Sequence, residues 1–97
     1  MEAYVSYYVF FSENLKLIKD VRADFEAEDF TGFDKAYGTF INKFTTRCHN
    51  FASNTLRGSS KVISNYISEV GETKTIPQSQ RFDTLSKITE KYMRKVM

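Results

Sequence analysis

The sequence predicts an all-α protein, an elongated three- or four-helix bundle built on a long antiparallel helical hairpin. Apolar residues recur at steps of three or four over most of the 97 residues, which is the period of one helix face. The chain holds a single Pro and only four Gly, so few positions interrupt a helix. Hydrophobic residues make up 41% and charged residues 27%, as in folded globular domains. We therefore predict one helical domain over residues 1–97.

The first helix is predicted over residues 2–27. Its opening run, residues 4–11, is apolar nearly all round and rich in Tyr, Phe and Val, which also favour strands. A strand over this run is the alternative. We favour a helix because one apolar spacing continues through the whole segment without Gly or Pro. The residues on this spacing are Tyr4, Tyr8, Phe11, Leu15, Ile18 and Phe25.

A second helix is predicted over residues 31–57, with Thr31 and Asp34 as a weak capping box at its start. One apolar stripe continues from this helix into a third, predicted over residues 60–70. The run from Gly58 to Ser60 interrupts the segment, which leaves a kinked helix and two helices with a tight joint as alternatives. The stripe consists of Phe33, Tyr37, Phe40, Phe44, Cys48, Phe51, Val62, Tyr66 and Val70.

The last helix is predicted over residues 79–96, after a loop at 72–78 that contains Pro77. Its apolar face consists of Phe82, Leu85, Ile88 or Thr89, Tyr92 and Val96. Two helices of about 27 residues each reach about 40 Å, so the first two are expected to lie antiparallel.

The cysteine and histidine content argues against a fold that depends on disulfide bonds or on a bound metal. Cys48 is the only Cys and His49 the only His, which rules out an internal disulfide and the usual four-ligand zinc site. We predict no metal and no cofactor. No run reaches the roughly 18 apolar residues that span a bilayer, and the start lacks the pattern of a signal peptide. We expect a cytoplasmic protein that makes no contact with a membrane.

Catalytic arrangements are also missing from the sequence. Cys48 and His49 diverge by about 100° on a helix, and Cys48 falls within the apolar stripe. The acidic residues near Asp34 are close only in sequence, and neither common phosphate-binding loop occurs. We predict that the protein is not an enzyme and has no small-molecule substrate.

The charge is divided unevenly along the chain. Residues 1–34 carry three basic and eight acidic residues, whereas residues 35–97 carry eleven basic and four acidic ones. Helical projection places cations and amides on an arc of roughly 120° opposite the apolar stripe. Such a face can neutralise phosphates and reach base edges, so a nucleic-acid-binding protein is the alternative function. Its predicted residues are Lys43, Arg47, Asn50, Asn54, Arg57 and Lys61.

The ring cluster at the start of the chain favours protein binding as the leading function. Its five rings occupy more than one helix face, and Tyr is enriched at protein interfaces. The predicted partner is another protein, acidic where it meets the basic face, or a second copy in a homodimer. This predicted non-catalytic function fits a small inhibitor, an immunity-like protein or a phage-type effector. The predicted binding residues are Tyr4, Tyr7, Tyr8, Phe10 and Phe11.

Overall fold

A computed structural model describes residues 2–27 and 31–96, and the side chains of residues 5–27 and 31–96. The first helix, α1, spans Glu2–Ala27, so the opening aromatic run is helical and no strand occurs in the described part of the chain. Phe10, Phe11 and Ile18 enter the core, as does the polar side chain of Asn14. The buried face of α1 is therefore rotated away from Tyr8, which the apolar spacing had placed on it.

The second helix, α2, spans Phe33–Asn54, and its start differs from the predicted capping box. The N-cap is Gly32, and no side chain caps the helix there. The Asp34 carboxylate instead accepts hydrogen bonds from Gln78 at 2.9 Å and from Arg81 at 2.8 Å. These two donors come from the last helix, so Asp34 serves a tertiary contact that local spacing could not indicate.

A non-helical joint between two helices interrupts the predicted apolar stripe. α2 ends at Asn54, with the N–H of its C-cap Thr55 still bonded to the Phe51 carbonyl, and Arg57 and Gly58 both have positive φ, 57° and 157°. Gly tolerates such a conformation with the least strain, which explains its place here. The next helix, α3, spans Lys61–Glu72, and its N-cap Ser60 accepts a hydrogen bond from the Ile63 backbone N–H at 3.2 Å. The segment is two helices with a tight joint.

The chain then closes through a short turn into its last helix. α3 runs through Gly71 to Glu72, beyond the predicted end at residue 70, and a 3₁₀ turn follows at Thr73–Thr75. The last helix, α4, spans Gln78–Lys95, with Arg94 and Lys95 in its last turn near the negative end of the helix dipole.

The four helices alternate in direction and form an elongated bundle of 44 × 20 × 19 Å. Backbones approach most closely between α1 and α4 and between α2 and α3. By contrast, α1 and α2 meet mainly through long side chains. Phe10 stacks on Phe51 at one end, and Phe25 contacts Phe33 at the other. The core contains Phe10, Phe11, Ile18, Tyr37, Ile41, Phe44, Cys48, Ile63, Tyr66, Val70, Phe82, Leu85, Tyr92 and Val96.

A line of hydrogen bonds crosses this core. The Tyr66 hydroxyl lies 2.8 Å from the Thr89 hydroxyl and 3.5 Å from Nδ2 of Asn14. The Oδ1 atom of Asn14 accepts a hydrogen bond from Nε of Arg47 at 2.8 Å. These contacts join all four helices, and within the described residues no buried side-chain nitrogen or oxygen lacks a hydrogen-bond partner.

Hydrogen bonds from the Arg81 side chain connect the start of α4 to the turn before it and to the start of α2. Its side chain is buried and donates to the backbone carbonyls of Ile76 at 2.9 Å and Lys74 at 3.0 Å, besides Asp34. The guanidinium also lies 5.2 Å from the centre of the Tyr37 ring. A planar group with several fixed N–H donors is needed to reach all of these acceptors at once.

We expect Arg81→Lys to lower the free energy of unfolding by about 1–3 kcal/mol. The single ammonium nitrogen of Lys cannot replace the two guanidinium nitrogens that donate to the backbone carbonyls of Ile76 and Lys74, so one carbonyl loses its hydrogen bond. Urea unfolding followed by circular dichroism measures the change. Arg94→Lys, at an exposed site in the same helix, is the control and should leave the midpoint unchanged. Equal midpoints for Arg81→Lys and the parent protein would show that these bonds do not hold the turn.

Candidate functional site

The structure buries two residues of the predicted ring cluster, Phe10 and Phe11, in the core. Phe10 and Phe11 are only 4% and 0% exposed and pack within the core. Tyr4 lies outside the residues whose side chains the structure describes. Phe10 and Phe11 cannot contact a partner unless the bundle opens, so two of the five predicted binding residues are explained by the core.

Tyr7 has a structural partner as well. Its hydroxyl lies 2.6 Å from the Ser60 hydroxyl, and its ring stacks on Phe11 and meets the edge of Phe51. Ser60 is also the N-cap of α3. Tyr7 therefore ties the beginning of α1 to the α2–α3 joint, which accounts for its position without a partner protein.

What remains exposed at this end is a small apolar patch. Tyr8 is 40% exposed, and its neighbours Val5 and Val9 are 63% and 49% exposed. Tyr8 and Val9 each follow Val5 by about one turn of α1, so the three side chains adjoin one another. Of the three, only Tyr8 belongs to the predicted binding residues, because the choice of rings did not include the apolar side chains left over after core packing.

The predicted basic face is also divided by the fold. Arg47 points toward α1, where it donates to Asn14, lies 3.6 Å from the Glu13 carboxylate and covers the Phe10 ring at 5.3 Å. An acidic residue of the N-terminal part thus offsets this cation. Arg57 lies in the joint and Lys61 begins α3, so these two cations do not continue the row on α2.

Several of the predicted nucleic-acid-binding residues nevertheless meet in one shallow depression of about 370 Å³. Its floor contains the stacked rings of Phe10 and Phe51, 4.0 Å apart and nearly parallel. The remaining lining residues are polar: Glu13, Arg47, Asn50, Asn54 and Thr55. The depression therefore combines a ring edge with amide and guanidinium groups.

A second and more apolar feature is a groove of about 360 Å³ between α1 and α2. Rings of both helices meet at each end, whereas between these contacts α1 presents only the smaller side chains of Leu17 and Val21. Phe44 is buried at its floor, and Leu17, Val21 and Phe40 are only half-buried. We call this feature the α1–α2 groove. It is lined by Leu17, Val21, Ala36, Thr39, Phe40, Lys43, Phe44 and Arg47.

The charged residues that line the α1–α2 groove are the two cations Lys43 and Arg47. On α2, Lys43 is exposed and forms no ion pair within the described residues. On α1, Asp20 and Asp24 follow Leu17 and Val21 by three residues, which places them on the adjacent outer edge of the helix. Both aspartates are exposed. Residue spacing within one helix does not reveal the groove, because the groove depends on the distance between two helices.

The structure offers no arrangement typical of catalysis around Cys48. The thiol is buried and His49 is exposed, on a different face of α2. Within the described residues, no three His, Cys, Asp or Glu side chains converge as a metal site. The same residues contain no helix with the length and apolar character needed to cross a membrane.

Comparisons with protein-family models, with curated protein sequences and with solved structures gave no match.

We expect the Cys48 thiol to react only when the helices open. Burial raises its pKa to about 12, although the charge of Arg47 acts in the opposite direction. Little thiolate is therefore present at neutral pH. A reagent that releases a coloured thiolate on disulfide exchange should react slowly with the folded protein and at once in guanidinium chloride. Rapid reaction of the folded protein would contradict the buried position.

Proposed function

We propose that this protein is a non-catalytic module that binds another protein in the α1–α2 groove. The observation that carries the proposal is the groove itself, a largely apolar surface between two helices whose lining also contains the cations Lys43 and Arg47. Exposed apolar surface flanked by polar residues is typical of protein interaction sites. Small inhibitors and immunity-like proteins are forms that such a module takes.

The shape of the groove favours a protein partner over a small molecule. Pockets for small molecules enclose most of the ligand and contain a few converging polar groups. Here the lining is apolar apart from Thr39, Lys43 and Arg47, and several of its side chains remain half-exposed. A partner that supplies its own rigid surface can cover this area.

The groove replaces the N-terminal rings as the proposed binding surface. Phe10 and Phe11 serve the core, and Tyr7 serves the α2–α3 joint. The small patch of Val5, Tyr8 and Val9 lies outside the groove lining. We propose that the module acts in the cytoplasm, because a single reduced Cys48 suits reducing surroundings.

Photo-cross-linking tests the proposal. With p-benzoylphenylalanine in place of Thr39, on the groove rim, we expect a defined cross-linked protein in the cells that make this chain. The same residue in place of Ser68, exposed on α3, should give none. The cross-linked protein is then purified, and its dissociation constant is measured by calorimetry.

Filling the groove should then weaken binding of that partner at least about tenfold, because a bulky side chain removes the apolar surface that the partner covers. Ala36→Trp fills the floor side, and Thr39→Arg covers the rim without touching the core. Ala23→Trp, an exposed site on the far side of α1, is the matched control and should bind like the parent. Equal cross-linking from both positions, or equal affinity for all variants, would overturn the proposal.

A nucleic-acid-binding role is the second candidate, and the depression lined by Arg47, Asn50, Asn54 and Phe51 is the observation that favours it. Amide and guanidinium groups beside a ring are suited to contact an unstacked base. Three further cations, Lys43, Arg57 and Lys61, are exposed and form no ion pair within the described residues.

If this role holds, random single-stranded RNA should bind with an affinity that falls with the logarithm of salt at a slope of about −2 to −3, because about three cations release counterions. Arg57→Glu combined with Lys61→Glu should abolish the binding. Lys87→Glu combined with Arg94→Glu makes the same charge change on α4 and is the control. Fluorescence anisotropy measures the RNA affinity of both double variants. Absence of binding at low salt would leave these side chains as ordinary solvated surface.

A further inference from the structure

We infer that the joint between α2 and α3 opens into a continuous helix, and that two copies of this chain then exchange hairpins to form a domain-swapped dimer. We call α1 with α2 the first hairpin and α3 with α4 the second hairpin. In the dimer, the first hairpin of one copy packs against the second hairpin of the other, as the two hairpins of a single chain do. The inference goes beyond the proposed function, because it concerns the joint and not the α1–α2 groove.

The main observation is the phase that α2 and α3 share across the joint. The helical rotation of about 100° per residue can be continued from α2 through residues 55–60 into α3. The buried residues of both helices then project onto one arc of about 100°. A single helix over residues 33–72 would therefore present one core face along its whole length. The residues on this arc are Tyr37, Ile41, Phe44, Cys48, Ile63, Tyr66 and Val70.

The residues of the joint are compatible with such a helix. The joint contains no Pro, which would break it. In the same projection Thr55 and Ser59 fall on the core arc, where their small side chains let two helices approach at the centre of the dimer. Arg57 and Lys61 fall on the opposite side. Their charges therefore stay in solvent and do not face the second copy.

The backbone of the closed joint is strained, which favours its opening. Arg57 has a φ of 57°, in the left-handed region that residues with a Cβ rarely adopt. In a continuous helix this residue takes an ordinary negative φ, so the strain is released. Short strained hinges are the segments at which proteins exchange parts between copies.

The contacts of Ser60 oppose this opening. The Ser60 hydroxyl accepts a hydrogen bond from the Ile63 backbone N–H and lies 2.6 Å from the Tyr7 hydroxyl. Both contacts belong to the closed joint. Together with the entropy lost when two chains associate, they favour the single chain at low protein concentration. The dimer is therefore expected to form as the concentration rises.

The exchange keeps the packing of the core. Contacts between the two hairpins, such as that of Phe25 with Phe82, are made between copies in the dimer. Contacts within one hairpin, such as the stacking of Phe10 on Phe51, stay within one chain. The closed chain and the dimer thus differ mainly at the joint, so changes at the joint decide the balance between them.

Gly58→Ala tests whether the joint controls self-association. Ala rarely adopts the φ of 157° that Gly58 has in the closed joint, and it favours a helix more than Gly does. No atom lies within 4 Å of the added Cβ, so the substitution causes no clash there. Because two joints straighten in each dimer, we expect the dimer dissociation constant to fall at least about tenfold. Sedimentation equilibrium of the full chain measures this constant.

Three further variants complete this test. Gly38→Ala makes the same change inside α2, which is helical in both forms, and should leave the dissociation constant unchanged. Ser60→Ala removes both hydroxyl contacts of the closed joint and should lower the constant, as Gly58→Ala does. Insertion of two Gly after Gly58 interrupts a continuous helix and should abolish the dimer. Equal dissociation constants for all variants, or monomers throughout at millimolar concentration, would overturn the inference.

Nuclear magnetic resonance distinguishes an exchange of hairpins from simple association of closed chains. Isotope-labelled and unlabelled Gly58→Ala chains are unfolded together and refolded, which produces mixed dimers. Nuclear Overhauser effects between the two kinds of chain should connect Phe25 with Phe82, whereas those of Phe10 with Phe51 should arise within one chain only. A dimer in which Phe25 and Phe82 of different chains show no such effect would contradict the exchange.

Discussion

The separation of α1 and α2 depends on aromatic rings packed between them at both ends. Phe10 lies flat on Phe51 with ring centres 4.0 Å apart, and Phe25 meets Phe33 edge-on at 5.2 Å. Rings of this size bury a large apolar area and keep helix backbones apart. Between the two ring contacts, α1 presents the smaller side chains of Leu17 and Val21, which do not fill the gap in front of Phe40. The large rings that let a short chain build a core therefore also leave the α1–α2 groove open.

Directional contacts complement this packing. Apolar rings alone would tolerate small shifts of one helix along another, whereas a hydrogen bond has a narrow range of distance and angle. Asn14, Tyr66 and Thr89 place such bonds in the centre of the bundle, and Arg81 places them at one end. A buried polar group must be satisfied, so these bonds favour one register over its neighbours.

Charged residues from the two parts of the chain also offset one another. The acidic first part of the chain lies against basic residues that follow it, as in the pairs of Glu13 with Arg47 and Asp34 with Arg81. The basic excess in the rest of the chain therefore does not become one uniform basic surface. Lys43 stands out because it is exposed beside apolar surface rather than paired with an acidic residue.

The sequence by itself determined the helical class and the buried face of α4, where Phe82, Leu85 and Tyr92 lie as predicted. It determined the stripe through α2 and α3 in part: Tyr37, Phe44, Cys48, Tyr66 and Val70 are buried as predicted, whereas the buried Ile41 and Ile63 were not on it. Helical periodicity is a local property, so spacing along the chain is enough to reveal it. Tertiary structure alone decided that Phe10 and Asn14 enter the core, that Arg47 turns toward α1, and that a groove remains between two helices. Each of these outcomes depends on which helices become neighbours and on how far apart large rings hold them, and neither quantity is encoded in the spacing of residues within one helix.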